Sequence, residues 1–233
     1  MRAMVLAAGL GLRMRPLTLE RPKPLLGIAG STLLGHALHR LAATGVTDAV
    51  VNCHYKAEMV AAYLADWPRP RIRLAPEPML LETGGGVKAA LPHLGTDPFF
   101  VVNADILWTD GAVPALRRLS QAWRDDAMDA LLLLMPVASS FGYAGRGDYR
   151  MAEDGRLARR AKDEAAPHVY AGVQITAGRA FDGSPDGAFS NNLVWDRAER
   201  AGRLFGLVHD GGWYHIGTPE ALAEARLILE PVG

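Results

Sequence analysis

The chain has 233 residues, 49% of them hydrophobic, and a formal net charge of zero. A balanced charge offers no electrostatic footprint for nucleic acid or an anionic membrane, and no run approaches the roughly 20 apolar residues of a membrane span. The single cysteine, Cys53, excludes an internal disulfide and a multi-cysteine metal site. The apolar start from Met1 to Leu12 is closed by Arg13 and Arg15 with no small-residue cleavage site, so it does not read as a signal peptide. These features predict a soluble, cytoplasmic protein folded as one α/β domain over 1–233.

In chain order, strand and helix patterns alternate. Met4 to Ala7 reads as a buried strand, broken by Gly9 and Gly11. Leu33, Leu34, Ala37, Leu38, Leu41 and Ala42 repeat at helical spacing, and Gly45 is a natural stop. Ala49 to Val51 is a short strand, Ala57 to Leu64 a helix, and Arg71 to Leu74 alternates like a strand. Gly84, Gly85 and Gly86 are expected to lead into a short helix with Val87 and Leu91 inward. Phe99 to Val102 is a continuous apolar run, as in a parallel strand buried on both faces. This order predicts a doubly wound, mostly parallel Rossmann-like sheet with ligands at the carboxyl ends of its strands.

The second half is less regular. Leu131 to Met135 and Val169 to Ile175 read as strands, and Gly172 interrupts the latter as if for close approach. Asp154-Gly155 marks a hairpin, adding a small antiparallel part. Leu193 to Ala201 reads as a helix and Leu204 to Val208 as a strand. Thr218 and Pro219 open a last helix that runs to about Leu229. His36, His39, His93 and His168 are read as structural or exposed.

The stretch from Val5 to Leu26, VLAAGLGLRMRPLTLERPKPLL, carries the strongest chemical signal. Glycines after a strand let backbone N–H groups approach an anion, and Arg13, Arg15 and Lys23 supply neutralising cations. It is not a Walker A loop, because Gly11 is followed by Leu12-Arg13 rather than Lys-Ser/Thr. It is not a dinucleotide fingerprint, because Met14 replaces the third glycine and Pro16 would interrupt the helix. What remains, G-x-G-x-R-M-x-P-L-T-x-x-x-P-K-P from Gly9 to Pro24, resembles the phosphate motif of the sugar-1-phosphate nucleotidyltransferases. That resemblance implies a nucleotide site at Ala8, Gly9, Gly11, Leu12, Arg13 and Lys23, joined by Asn103 further along the chain.

Further segments resemble the same family. Leu81-Glu82-Thr83-Gly84-Gly85-Gly86 is similar to the base-recognition segment of its branch that transfers uridylyl groups to N-acetylmuramate 1-phosphate. The resemblance implies that Glu77, Glu82, Thr83 and Gly84 line the base and ribose. Asn103-Ala104-Asp105 follows a buried strand, where a carboxylate is placed to hold Mg²⁺ against phosphate oxygens. Relatives usually have glycine at Ala104, so the methyl is expected to crowd this loop. In Trp213-Tyr214-His215-Ile216-Gly217-Thr218-Pro219, His215 stands where the family has its second metal-binding aspartate. Asp105 and His215 are therefore the implied metal residues, with Mg²⁺ the implied ion and Mn²⁺ or Co²⁺ better suited to imidazole.

Gly145-Arg146-Gly147-Asp148-Tyr149 resembles a segment of that same branch. With Tyr170-Ala171-Gly172 it implies a sugar side built from Arg146, Gly147, Asp148, Tyr170 and Gly172. The Glu-Lys-Pro segment that supplies a sugar-phosphate lysine in many relatives has no match, and Asp163 to Ala166 stand there instead. The implied reaction is transfer of a nucleotidyl group from a nucleoside triphosphate to a sugar 1-phosphate. Arg13 would face the leaving pyrophosphate, Lys23 the α-phosphate, and Asp105 the metal. UTP with N-acetylmuramate 1-phosphate fits the branch, GTP with mannose 1-phosphate is the alternative, and a non-catalytic sugar-nucleotide sensor is the other class.

Overall fold

A computed structural model describes residues 1–230; Pro231 to Gly233, the end of the expected domain, lie outside the described residues. The first strand, β1 (Ala3–Leu6), is followed by a short helix α1 (Leu17–Glu20) and a small ribbon of β2 (Gly27–Ile28) and β3 (Ser31–Thr32). Then come α2 (Leu33–Ala43), β4 (Asp48–Cys53), α3 (Ala57–Leu64), β5 (Arg71–Pro76), α4 (Glu82–Leu94) and β6 (Phe99–Asn103). After β7 (Leu107–Trp108) and α5 (Ala115–Ala122), the chain builds β8 (Ala130–Pro136), β9 (Tyr149–Met151), β10 (Leu157–Arg159) and β11 (His168–Thr176). It closes with α6 (Asn192–Arg200), β12 (Leu204–Val208), β13 (Trp213–Tyr214) and α7 (Pro219–Leu229).

The main sheet is mixed and mostly parallel around β1, as the alternating pattern predicts. Strands β5, β4, β1 and β6 are parallel neighbours, β11 and β8 add antiparallel, and β12 runs parallel to β8. The β9–β10 hairpin joins the start of β11 where Tyr149 meets His168. Strand β1 sits between β4, which follows it in sequence, and β6, which returns from beyond β5. That reversal is the switch point where open α/β sheets bind ligands.

Successive β1 residues serve opposite faces. Ala3 and Val5 pack into the cluster built by α2, α3 and α5, while Met4 packs with Val87, Ala90 and Leu94 of α4. Thr32 caps α2 by accepting from Gly35 N–H (2.9 Å), and Gly45 beyond it has φ +88°. Thr218 caps α7 by accepting from Ala221 N–H (3.3 Å).

Helix α4 departs from the sequence expectation. The glycine triplet does not precede the helix but lies inside its first turns. Glycine costs roughly 1 kcal/mol per helical position relative to alanine, so close packing must offset it. A Cβ on Gly84 would meet the Phe189 ring at 2.5 Å, one on Gly85 would strike the Gly187 carbonyl, and one on Gly86 would meet Asn52 Nδ2 at 2.8 Å. Val87 and Leu91 face inward as expected, Val87 fully buried and Leu91 half-buried against the same cluster. Ala104, where the methyl is expected to crowd the loop, joins the main core cluster. Its methyl is fully buried in the core, and its N–H reaches Leu6 O at 3.0 Å.

Candidate active site

A cavity of about 480 Å³ opens at the carboxyl ends of β1, β4 and β6. One wall is the loop after β1, from Ala7 to Met14, and the other runs through Leu80, Glu82 and Thr83. Gly11 takes a left-handed φ of +61°, and its hypothetical Cβ would lie 3.0 Å from the Thr18 methyl and 3.2 Å from Lys23 Cβ. Only glycine fits there without strain. Thr18 Oγ1 donates to Gly11 O (2.9 Å), and Tyr55 Oη donates to Thr18 O (2.8 Å), so α1 clamps the loop from behind. Gly9 is exposed with open space around it, and Arg13 reaches the cavity from the exposed loop.

Lys23 comes from a tight turn that follows Pro22, and it lines the cavity although it is buried. Its ammonium donates to Asp105 Oδ2 at 2.8 Å. Asp105 follows β6, and its side chain is 43% exposed toward the cleft. Burial raises the Asp105 pKa, but the Lys23 ammonium and then His215 outweigh it and hold the carboxyl below its ordinary value.

The antiparallel pairing of β13 with β7 carries His215 to the same end of the sheet. Its N–H donates to Phe141 O (3.0 Å), and its ring stands edge-on to Tyr143 at 6.0 Å. A Cβ on Gly217 would lie 2.9 Å from His215 Nε2 and 3.6 Å from Arg13 Nη1, so these two side chains share one corner. Burial, then the Lys23 and Arg13 cations, lower the His215 pKa against the opposing pull of Asp105. These effects together favour the neutral imidazole.

Of the residues expected at the nucleotide, Ala8, Gly9, Gly11, Leu12, Arg13, Lys23, Glu82 and Thr83 line this cavity, and so does Asp105, expected at the metal. Three lie elsewhere. Gly84 gives its N–H to Phe189 O (2.8 Å), Asn103 ends β6 half-buried beside Leu6, and Glu77 is buried with both carboxylate oxygens bonded to the protein. The sugar-side residues do not line it either. Gly147 has φ +72° against the Ala166 carbonyl and receives a bond at its O from Arg160, and its N–H donates to Tyr143 Oη (3.1 Å). Asp148 Oδ2 accepts from Tyr170 N–H (2.9 Å).

Tyr170 itself is turned to the α6 face of the sheet, with its ring 4.7 Å from Trp195, because alternation along β11 puts it on the same side as Gln174. Gly172 forms a bulge at φ +81°, where a Cβ would meet Ile106 Cδ1 at 2.8 Å. Arg146 is exposed; its guanidinium donates to Asp163 O at 3.4 Å and its O accepts from Ala166 N–H at 2.7 Å. The four histidines read as structural or exposed do not line the cleft: His36 bonds Ile28 O (2.7 Å), His39 stacks on Trp67, His93 is exposed, and His168 pairs with Pro136 in β11. The sequence reading missed Asn52, Leu80 and Gly217, which also line the cavity. Only Asn52 carries a local signal, as an amide ending an apolar strand.

Residues 2–159 match the family model described as nucleotidyl transferase. The chain is 44% identical to the N-acetylmuramate alpha-1-phosphate uridylyltransferase of Caulobacter vibrioides, covering 97% of this chain and 96% of that protein. It is 35% identical to the enzyme of the same name from Neisseria meningitidis, with 98% of each covered. The mannose-1-phosphate guanylyltransferase of Mycobacterium tuberculosis is 31% identical, over 94% of this chain and 61% of that protein. Solved structures share the fold at low identity. HddC from Yersinia pseudotuberculosis superimposes with a TM-score of 0.77 at 21% identity, covering 96% of this chain and 97% of that one. Apo UDP-glucose pyrophosphorylase gives 0.78 at 16%, covering 99% and 98%. With phosphate loop, Lys23 and Asp105 all inside the matched region, the chain belongs to the nucleotidyl transferase family, which passes a nucleotidyl group to a sugar 1-phosphate.

Proposed function

We propose that this protein transfers the uridylyl group of UTP to N-acetylmuramate 1-phosphate, as a cytoplasmic enzyme of cell-wall recycling. The observation that carries the reading is the 44% identity, nearly end to end, to an enzyme named for that reaction. A sugar phosphate oxygen attacks the α-phosphorus in line, and the bond to the β-phosphate breaks with its electron pair leaving on pyrophosphate. Both reactants are anions, so catalysis consists of alignment and neutralisation. The glycine loop and Arg13 hold the leaving pyrophosphate, and Lys23 neutralises the α-phosphate. Leu80, Glu82 and Thr83 form the opposite wall, against the base and ribose.

The donor set of this corner suits a divalent metal ion. No cluster of three or more His, Cys, Asp and Glu ligands occurs among the described residues. One carboxylate, Asp105, with neutral His215 beside it, suits an ion that takes the rest of its shell from phosphates and water, as Mg²⁺ does. When bound, the ion supplies positive charge to the phosphate oxygens, and Asp105 with His215 would hold it. On the sugar side, Arg146 is an exposed guanidinium suited to the lactyl carboxylate of N-acetylmuramate.

The test is a pyrophosphate-release screen that pairs each nucleoside triphosphate with N-acetylmuramate, N-acetylglucosamine and mannose 1-phosphates. UTP with N-acetylmuramate 1-phosphate is expected to turn over fastest. A preference for GTP with mannose 1-phosphate would replace this reading with guanylyl transfer. Nucleotide binding with no pyrophosphate from any pair would indicate a sensor.

A further inference from the structure

We infer that Asn52 and Glu77 form a brace of fixed hydrogen-bond polarity that sets the gap between the two walls of the nucleotide cleft, with Asn52 a positioning residue for the nucleotide. The inference rests on the reading of this cleft as a nucleoside triphosphate site. Three hydrogen bonds run from wall to wall beneath the cavity. Ala7 N–H donates to Asn52 Oδ1 (2.8 Å), Asn52 Nδ2 donates to Glu77 Oε1 (2.6 Å), and Leu81 N–H donates to Glu77 Oε2 (3.0 Å). Ala7 opens the phosphate loop, and Leu81 adjoins Leu80 on the facing wall.

Each atom in this line has one possible role. A backbone N–H only donates, so Ala7 fixes the amide with its oxygen toward the loop and its nitrogen toward Glu77. Leu81 N–H likewise requires an acceptor, so Glu77 must offer two acceptor oxygens, which only a carboxylate does. Asn52 is 3% exposed and Glu77 7%, so an unpaired donor or acceptor in this line is costly. Glu77 is anchored further, its N–H donating to Cys53 O (2.8 Å) and its O bonded by His54 Nδ1 (2.8 Å). Gly86 seats the pair: a Cβ there would lie 2.8 Å from Asn52 Nδ2 and 2.9 Å from Glu77 Oε1.

Of the two residues, only Asn52 lines the cavity. A nucleotide with phosphates on the Ala7–Met14 loop and base against Leu80–Thr83 touches both walls at once. Their separation therefore sets whether its α-phosphate meets Lys23. Glu77 is buried and does not line the cavity, so it acts through this spacing.

A polarity swap tests the brace. Glu77→Gln supplies one donor and one acceptor where two acceptors are required, so two donors face each other somewhere along the line. UTP should then bind about tenfold to a hundredfold more weakly. In N52D/E77Q the charge moves by one residue and every bond can re-form: the new carboxylate accepts from Ala7 N–H and from the new amide, whose oxygen accepts from Leu81 N–H. This double variant should recover the melting temperature lost in E77Q and bind UTP more tightly than E77Q, short of wild type because the carboxylate at position 52 lines the cavity beside an anionic ligand.

Calorimetric titration with UTP, and with GTP in parallel, gives the affinities, alongside melting temperatures and the KM for sugar 1-phosphate at saturating nucleotide. The expected pattern is a nucleotide Kd that rises in E77Q and falls part of the way back in the double variant, with the sugar-phosphate KM changed by less than about threefold. An E77Q protein with wild-type affinity, even if less heat-stable, would overturn the brace, and so would a double variant as weak as E77Q. Wild type that binds neither nucleotide would instead overturn the cleft reading, and the inference with it.

Discussion

The Lys23 ammonium and the Asp105 carboxylate meet at 2.8 Å across 82 positions of sequence. Lys23 is the buried partner, with 9% of its side chain exposed, while Asp105 keeps 43%. A buried cation held by a carboxylate that still faces solvent is positioned without being fully neutralised, so an incoming phosphate can share it.

If Lys23 neutralises the α-phosphate, Lys23→Ala should lower turnover about 100-fold or more, the scale of losing one transition-state donor. The fold should survive, because the carboxylate left behind is open to water. Pyrophosphate release and circular dichroism check the two halves. Near-normal turnover would remove Lys23 from the mechanism.

His215→Asp should place a second carboxylate beside Asp105. Ligand charge governs affinity for hard cations, so the Mg²⁺ concentration for half-maximal rate should fall by about tenfold. Wild type, with a neutral imidazole, should in turn show a stronger preference for Mn²⁺ or Co²⁺ than the variant. Titrations of activity against Mg²⁺ and Mn²⁺ that superimpose for both proteins would place His215 outside metal reach.

Gly85→Ala separates helix propensity from packing. At an open helical site the change would stabilise by up to roughly 1 kcal/mol, but here the new methyl strikes the Gly187 carbonyl. Net destabilisation of about 1–3 kcal/mol is expected, the usual cost of overpacking. Urea unfolding measures it, and an unchanged midpoint would mean that the 183–189 loop yields.

Several elements were legible in the residues alone. Helix Ala57–Leu64 and strand Leu204–Val208 appear with the bounds their apolar patterns predict. The grouping of the glycine loop was legible because its residues are near in sequence: Gly9, Gly11, Arg13 and Lys23 fall within one segment, and the structure brings all four to one cavity. Asp105 was legible as a carboxylate at the end of a buried strand.

What only the tertiary structure decided is which of these groups meet. The glycine triplet reads as a nucleotide-facing turn because glycine disfavours helix, yet contacts with Phe189, Gly187 and the Asn52–Glu77 pair make it helical. Tyr170 reads as a sugar contact, but the alternation of β11 and the position of α6 turn it to Trp195. Asn52 and Glu77 are 25 positions apart, and nothing in either segment couples them. Their pairing depends on the register of β4 against β1 and β5, which the sheet fixes by burying both of its faces at once. Sequence thus determined the chemistry available at each strand end, and the packing of the two helix layers against the sheet determined where each group points.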